Sequence, residues 1–290
     1  MLNETLHTYI ENSLSKQMKS LSLYGKGMCN DIWLAVTDDN HLFLIKQARE
    51  KTEEEEQNDL LLEARLIQKL KQENSSLCIP DVVFASESPR MYGYKYVAGD
   101  TMRDAWPTLA ERERMELCES LGRFHSSLQT TLREDKIIEL GITNNHSQFD
   151  AEEIEDLERF IGNTSVSLHY RQAIKYIFKI FASTNSYAFD RLCHNDTHFE
   201  NILVYESKLA CVVDFGDADF GDVHREFTRY YQDFPDYFEH IVHAYETDSG
   251  HNLSHQRIKT RAMLDIVDEL KTEYFASGKI ALIDRFLNER

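Results

Sequence analysis

His194, Asp196, Asn201 and Asp214 stand in one stretch of the chain: His194-Asn-Asp-Thr-His-Phe-Glu-Asn201, an apolar segment, then Asp214-Phe-Gly216. The pattern is H-x-D-x-x-x-x-N followed by D-F-G. Phosphoryl transfer needs such a set: an acid beside an attacking hydroxyl, and an Asn and an Asp that hold magnesium on the phosphates. Asp-Phe-Gly alone is explained as well by a hairpin with surface acids. The order and spacing of the whole string outweigh that reading.

The segment between is built to bring the ends together. Ile202-Leu-Val204 and Leu209-Ala-Cys-Val-Val213 are apolar runs flanking the polar turn Glu206-Ser-Lys208, which is a β-hairpin pattern. Asn201 enters its first strand and Asp214 leaves its second, so both reach one small volume. Two oxygen ligands suit a hard cation that takes its other ligands from water and phosphate.

Residues for the phosphates lie upstream. Tyr24-Gly-Lys-Gly27 precedes the first paired strands, and Gly25 and Gly27 let backbone amides approach a phosphate. The pattern lacks a third glycine, with Asn30 near that place, so alone it reads as a plain turn. Lys46 ends the apolar run Leu42-Phe-Leu-Ile45. Glu63 shares a helical face with Leu60, Ile67 and Leu70, and a carboxylate on an apolar stripe needs a partner. Lys46 is the expected partner; Arg65, Lys71 or water are the alternatives. Tyr94, Tyr96 and Val97 form a hinge whose backbone suits a purine edge. Met91 and Tyr94 either line the base pocket or belong to the core.

The elements that hold these residues change character along the chain. A helix is expected over 4–20, strands over 31–37 and 41–47, a charged run around Glu53–Glu56, a helix over 58–73, and strands at 82–85 and 91–97. Beyond residue 100 the periodicity is helical at 109–130, 150–161 and 165–182. The hairpin stretch 192–216 interrupts it, and helices resume over 223–290 with breaks near Pro235, Gly250 and Gly278. Residues 1–97 are read as a nucleotide-binding N-lobe and 98–290 as a C-lobe carrying the catalytic loop and substrate-binding helices.

Composition excludes several classes. With 32 Lys and Arg against 50 Asp and Glu, the formal charge of −18 disfavours nucleic acid or an anionic membrane as partner, and would draw a cation. Five scattered cysteines fit reduced thiols in the cytoplasm. No run has membrane-spanning length, and the N-terminus lacks a signal-peptide pattern.

Together these motifs resemble the aminoglycoside phosphotransferases, a branch of the protein-kinase-like fold, over most of the chain. Gly25-Lys-Gly-x-x-Asn-Asp31, Ile79-Pro-x-Val-Val-Phe84 and Asp214-Phe-Gly-Asp-Ala218 look most like the 2''-phosphotransferase group. The resemblance implies an α+β bilobal fold, with a small N-lobe of antiparallel sheet plus helix and a larger, mostly helical C-lobe. It also implies ATP or GTP as co-substrate and Mg2+ on Asn201 and Asp214, with Asp196 as catalytic base and His194 stabilising its loop. Lys46, Glu63, Gly25, Gly27 and the hinge would hold the nucleotide. Three departures stand out: Asn195 where many relatives have Gly, Glu200 before Asn201, and His224-Arg-Glu-Phe227 in place of an Asp-Pro-x-x-Asp-type continuation.

An acidic belt follows the hairpin. Asp217, Glu226, Asp233, Asp236 and Glu239, with His198 in the loop, are the expected contacts for a cationic acceptor; Asp219 and Asp222 extend the belt. Tyr230, Tyr231, Phe234 and Tyr237 either stack on a sugar or pack as core. The expectation is a monomeric kinase of an aminoglycoside. The alternatives are a same-fold kinase of a macrolide, choline-like molecule or sugar or amino-acid alcohol, and a nucleotide-binding pseudokinase scaffold. A protein kinase is disfavoured, because Gly216 to Glu226 is too short for an activation loop.

Overall fold

The computed structural model describes residues 2–27, 29–49, 59–142, 155, 159, 168–183, 191–269 and 284–286. The fold is mixed α+β, with a five-stranded antiparallel sheet in the N-terminal part and helices in the C-terminal part. Contacts group it into two compact units. One comprises Met1–Thr108, Glu139–Gly141 and Phe199–Ala218; the other comprises Leu109–Ile138, Ile142–His198 and Asp219–Arg290.

In the first unit, α1 (Leu2–Leu14) precedes the strands β1 (Met18–Lys26), β2 (Asn30–Thr37), β3 (Leu42–Ala48), β4 (Val82–Glu87) and β5 (Arg90–Lys95), ordered β1-β2-β3-β5-β4. The helix expected over 4–20 therefore stops at Leu14. Ser20-Leu-Ser-Leu23 alternates with period two, and that pattern pairs with β2 instead of continuing the helix. Ile10, Met18, Ala35, Phe43, Ile45 and Met91 form the core beneath α1, which assigns Met91 to packing.

The helix α2 (Leu60–Glu73) starts at Asp59, whose carboxylate accepts from the N–H groups of Leu61 and Leu62. It buries Leu60, Glu63, Ala64, Leu66, Ile67 and Leu70. A smaller sheet pairs Asp100–Thr101 with the strand Ile202–Tyr205, which pairs in turn with Lys208–Val212. The tight turn Glu206-Ser207 has positive φ at both residues, 49° and 61°, the twist that matches a two-residue hairpin loop.

The second unit is helical. Glu111–Thr131 packs against Phe238–Ser249, and Leu168–Ser183 against His255–Glu269. At Gly122 a Cβ would lie 2.3 Å from the Ile241 carbonyl oxygen, so only glycine permits this approach of two backbones. The helical breaks at Pro235 and Gly250 appear as expected, the latter with φ 70°. A short ribbon, Arg191–Cys193 with Asp219–Gly221, was not anticipated, since three residues carry no readable period. The Glu53–Glu56 run, most of the 150–161 segment and the Gly278 break lie outside the described residues.

Candidate active site

The first unit assembles a buried ion cluster. Lys46 sits in β3 and Glu63 in the first turn of α2, and they are only 4% and 3% exposed. Lys46 Nζ lies 3.0 and 2.9 Å from Glu63 Oε1 and Oε2, and 2.7 Å from Asp214 Oδ1. Glu63 Oε1 also accepts from the Tyr92 hydroxyl at 2.9 Å and from the Phe215 N–H at 3.0 Å. Burial alone would favour a neutral lysine, but the Glu63 and Asp214 carboxylates outweigh it and raise the Lys46 pKa. Burial also pushes the Glu63 carboxyl up, against the pull of Lys46 and Tyr92.

Asn201 and Asp214 stand at the open end of the hairpin, where the Val213 N–H donates to the Asn201 carbonyl at 2.9 Å. Asp214 has φ 67°, an uncommon conformation that Asp tolerates better than most residues, and its side chain is 45% exposed. The side chain is therefore partly exposed beside Lys46.

The remaining nucleotide-side residues are also in this unit. The Gly27 N–H donates to the Asn30 carbonyl at 2.9 Å, and Gly25 lies at an irregularity in β1. Tyr94 is buried, and burial pushes its phenol well up. The Tyr96 N–H is bonded to the Leu42 carbonyl, its ring meets Tyr24 edge-on at 6.3 Å, and Val97 is half-buried.

The second unit holds the acid loop. His194 is fully buried, and its Nδ1 accepts from the Asp196 N–H at 3.3 Å. Asp196 and His198 are both partly exposed, with His198 Nε2 3.5 Å from Asp196 Oδ2. Asn195 has φ 65°. Asn is among the few residues other than glycine that accept this region readily.

Glu226 is the correction. Expected among the acceptor-binding acids, it is 2% exposed. Its Oε2 accepts from the His194 N–H at 2.6 Å and the Asn195 N–H at 3.4 Å, and its Oε1 from the Thr197 hydroxyl at 3.2 Å. It holds the backbone of the acid loop and presents nothing to solvent. Burial raises its pKa to about 7, opposed by the His194, Asn195, Thr197 and Cys193 donors. His125 Nδ1 lies 3.6 Å from Oε1 without a hydrogen bond, while Nε2 meets the Tyr230 hydroxyl at 2.7 Å. Burial, then His194, lowers the His125 pKa to about 3, so His125 brings no positive charge to Glu226 near neutral pH.

The rest of the belt divides. Asp222 is buried against Arg257 and His224, both at 2.6 Å. Asp217 is exposed and Asp233 half-buried. Asp236 is exposed and pairs with Arg285 at 3.1 Å; Glu239 is exposed and pairs with His255 at 2.9 Å. Tyr230, Tyr231 and Phe234 are core. Of the polar groups that matter here, the sequence reading missed Tyr92, the Phe215 N–H, Thr197 and His125. Tyr92 carried a signal, since it shares a strand face with Tyr94; the others needed long-range contacts.

Among the described residues no helix is long and apolar enough to cross a membrane. No curated protein is similar enough to the chain to count as a relative. Solved structures share its fold at low identity. The streptomycin–ATP–APH(2")-IIa ternary complex has a TM-score of 0.65 at 17% identity, covering 93% of this chain and 90% of that one. The GDP and kanamycin complex of APH(2")-IIia has 0.69 at 17%, covering 100% of both. Macrolide 2'-phosphotransferase MphH from Brachybacterium faecium has 0.69 at 16%, covering 97% and 96%. These likenesses establish a kinase-like fold, and residues 20–258 match the phosphotransferase enzyme family (APH), so the chain belongs to that family.

Proposed function

We propose that this phosphotransferase moves the γ-phosphoryl group of ATP or GTP to a hydroxyl of a cationic, aminoglycoside-like small molecule. The observation that carries the reading is the Lys46–Glu63–Asp214 cluster, with a charged lysine held 2.7 Å from a carboxylate that stays partly open. The ATP and GDP complexes among the similar structures support a nucleoside triphosphate as donor. In this reading residues 1–97 bind the nucleotide, aided by Gly25, Gly27 and the hinge at Tyr94, Tyr96 and Val97.

Asp196 would accept or orient the hydroxyl proton. The transition state is loose, so the base contributes less than positioning and charge neutralisation. Lys46 would balance phosphate charge while Glu63 keeps its ammonium in place. A divalent ion fits the donor set at the hairpin mouth: one carboxylate from Asp214 and one amide from Asn201, both hard oxygen donors. Among the described residues no cluster of three or more His, Cys, Asp or Glu would hold a metal unaided, so water and phosphate would complete the shell. Bound magnesium would neutralise charge on the transferred group and its leaving oxygens.

The acceptor is argued from charge. The formal −18 favours a polycation, with Asp217, Asp233 and His198 the remaining candidates for contact. One observation favours a second reading, a macrolide or another less charged acceptor. Asp222 and Glu226 are buried, and Asp236 and Glu239 are already paired.

The test is nucleoside-diphosphate release with ATP and GTP in turn, over aminoglycosides, macrolides and choline. Aminoglycoside-dependent turnover is expected, and Asp196→Ala should lower kcat by about 10²–10⁴ with nucleotide binding kept. Turnover with no acceptor on the panel would revive the scaffold alternative.

A further inference from the structure

Tyr92 has no place in the reaction as described so far, yet its geometry ties it to the lysine. The strand register sets Lys46 of β3 directly opposite Tyr92 of β5. Cross-strand partners project from the same face of a sheet, so both side chains meet the Glu63 carboxylate there. Tyr92 is 1% exposed.

We propose that Tyr92 is a positioning residue for Lys46: its hydroxyl fixes the Glu63 carboxylate, and that carboxylate fixes the ammonium. The inference rests on the reading of Lys46 as a phosphate ligand.

The two carboxylate oxygens differ. Oε1 accepts from Tyr92, Phe215 N–H and Lys46, whereas Oε2 accepts from Lys46 at 2.9 Å. The neutral donors therefore pin one oxygen and set the rotation of the group, and that rotation decides where the other holds the lysine. Charge counting points the same way. One ammonium faces two carboxylates, Glu63 and Asp214, so Lys46 cannot satisfy both fully. A fixed neutral donor meets part of the demand of Glu63 without consuming positive charge, and leaves Lys46 available to a phosphate. Without the hydroxyl the carboxylate would be free to turn, and the ammonium would follow it or shift toward Asp214. The donor is constant with pH, because burial and then the Glu63 carboxylate hold the Tyr92 phenol well above its ordinary pKa. The ring itself packs at 5.8 Å from Tyr94, so Phe would keep the volume and lose only the hydroxyl.

The experiment measures KM and kcat for ATP and GTP, with direct nucleotide binding, in the wild type, Tyr92→Phe, Glu63→Gln and the double variant. Tyr92→Phe is expected to raise the nucleotide KM by about tenfold with kcat changed much less, while unfolding stays cooperative. In the Glu63→Gln background the same substitution should have a much smaller effect, since an amide oxygen can still accept from Tyr92 but the second oxygen that holds the ammonium is gone. A purely structural tyrosine would lower the melting temperature and leave KM alone; that outcome overturns the proposal, as does an undiminished KM effect in the double variant. If the wild type binds no nucleotide, the reading of Lys46 falls first and takes this inference with it.

Discussion

Two glutamates, one in each unit, are equally buried and oppositely served. Glu63 meets a full positive charge, the Lys46 ammonium, together with two neutral donors. Glu226 meets neutral donors: two backbone N–H groups, a hydroxyl and the Cys193 thiol, with a neutral His125 alongside. Removing a carboxylate from water costs several kcal/mol, so the two solutions must differ in consequence. Burial pushes Glu63 up as well, but there the Lys46 ammonium pulls against it, and the carboxylates keep the lysine charged. An acid held by neutral dipoles has its pKa lifted toward neutrality, about 7 for Glu226. The first arrangement preserves charge for use; the second uses charge to shape a loop.

Removing the cation should have the largest effect. Lys46→Met strands the Glu63 carboxylate in a dry site and is expected to cost roughly 3–5 kcal/mol of stability in urea unfolding. Adding Glu63→Leu should recover much of that loss. If Lys46→Met alone left stability unchanged, the contrast between the two acids would collapse.

Next comes pH. The folded-state pKa of Glu226 is raised from 4.5 to about 7, so its contribution to stability is fully present below 4.5 and is lost as pH rises through 7. The integrated loss is roughly 3 kcal/mol. Glu226→Gln should remove that slope, seen as the gap between variant and wild-type unfolding free energies at pH 5 and pH 8. Gln retains an acceptor for the His194 N–H, and the Thr197 hydroxyl can rotate to accept from its amide, so folding should survive. Parallel pH profiles for the two proteins would contradict the assignment.

Smaller again is the Thr197 contact. Thr197→Val deletes one donor to Glu226 and should cost about 1–2 kcal/mol, with the wild-type loss on raising pH made steeper. The smallest effect belongs to Glu239, an exposed acid of the same sequence belt paired with His255. Glu239→Ala should change stability by less than about 0.5 kcal/mol.

The contrast also marks where sequence reading succeeds. Glu63 announced itself because helical periodicity placed a charge on the apolar stripe of Leu60, Ile67 and Leu70, a local conflict that needs a partner. Glu226 announced nothing, because its stretch is dense in acids and its partners lie 29 to 32 residues away. Buried Asp222 and exposed Asp236 are likewise indistinguishable in sequence. The strand Met18–Lys26 was lost to a helical reading because the amphipathic run of α1 leads directly into it.

The sequence alone determined the hairpin, the paired N-terminal strands and the order of polar residues along the chain, because those follow from local periodicity and turn chemistry. Tertiary structure decided which acids are ionic partners, which are struts and which face water. Burial and hydrogen-bond supply are set by segments far apart in the chain, and they govern what a carboxylate does.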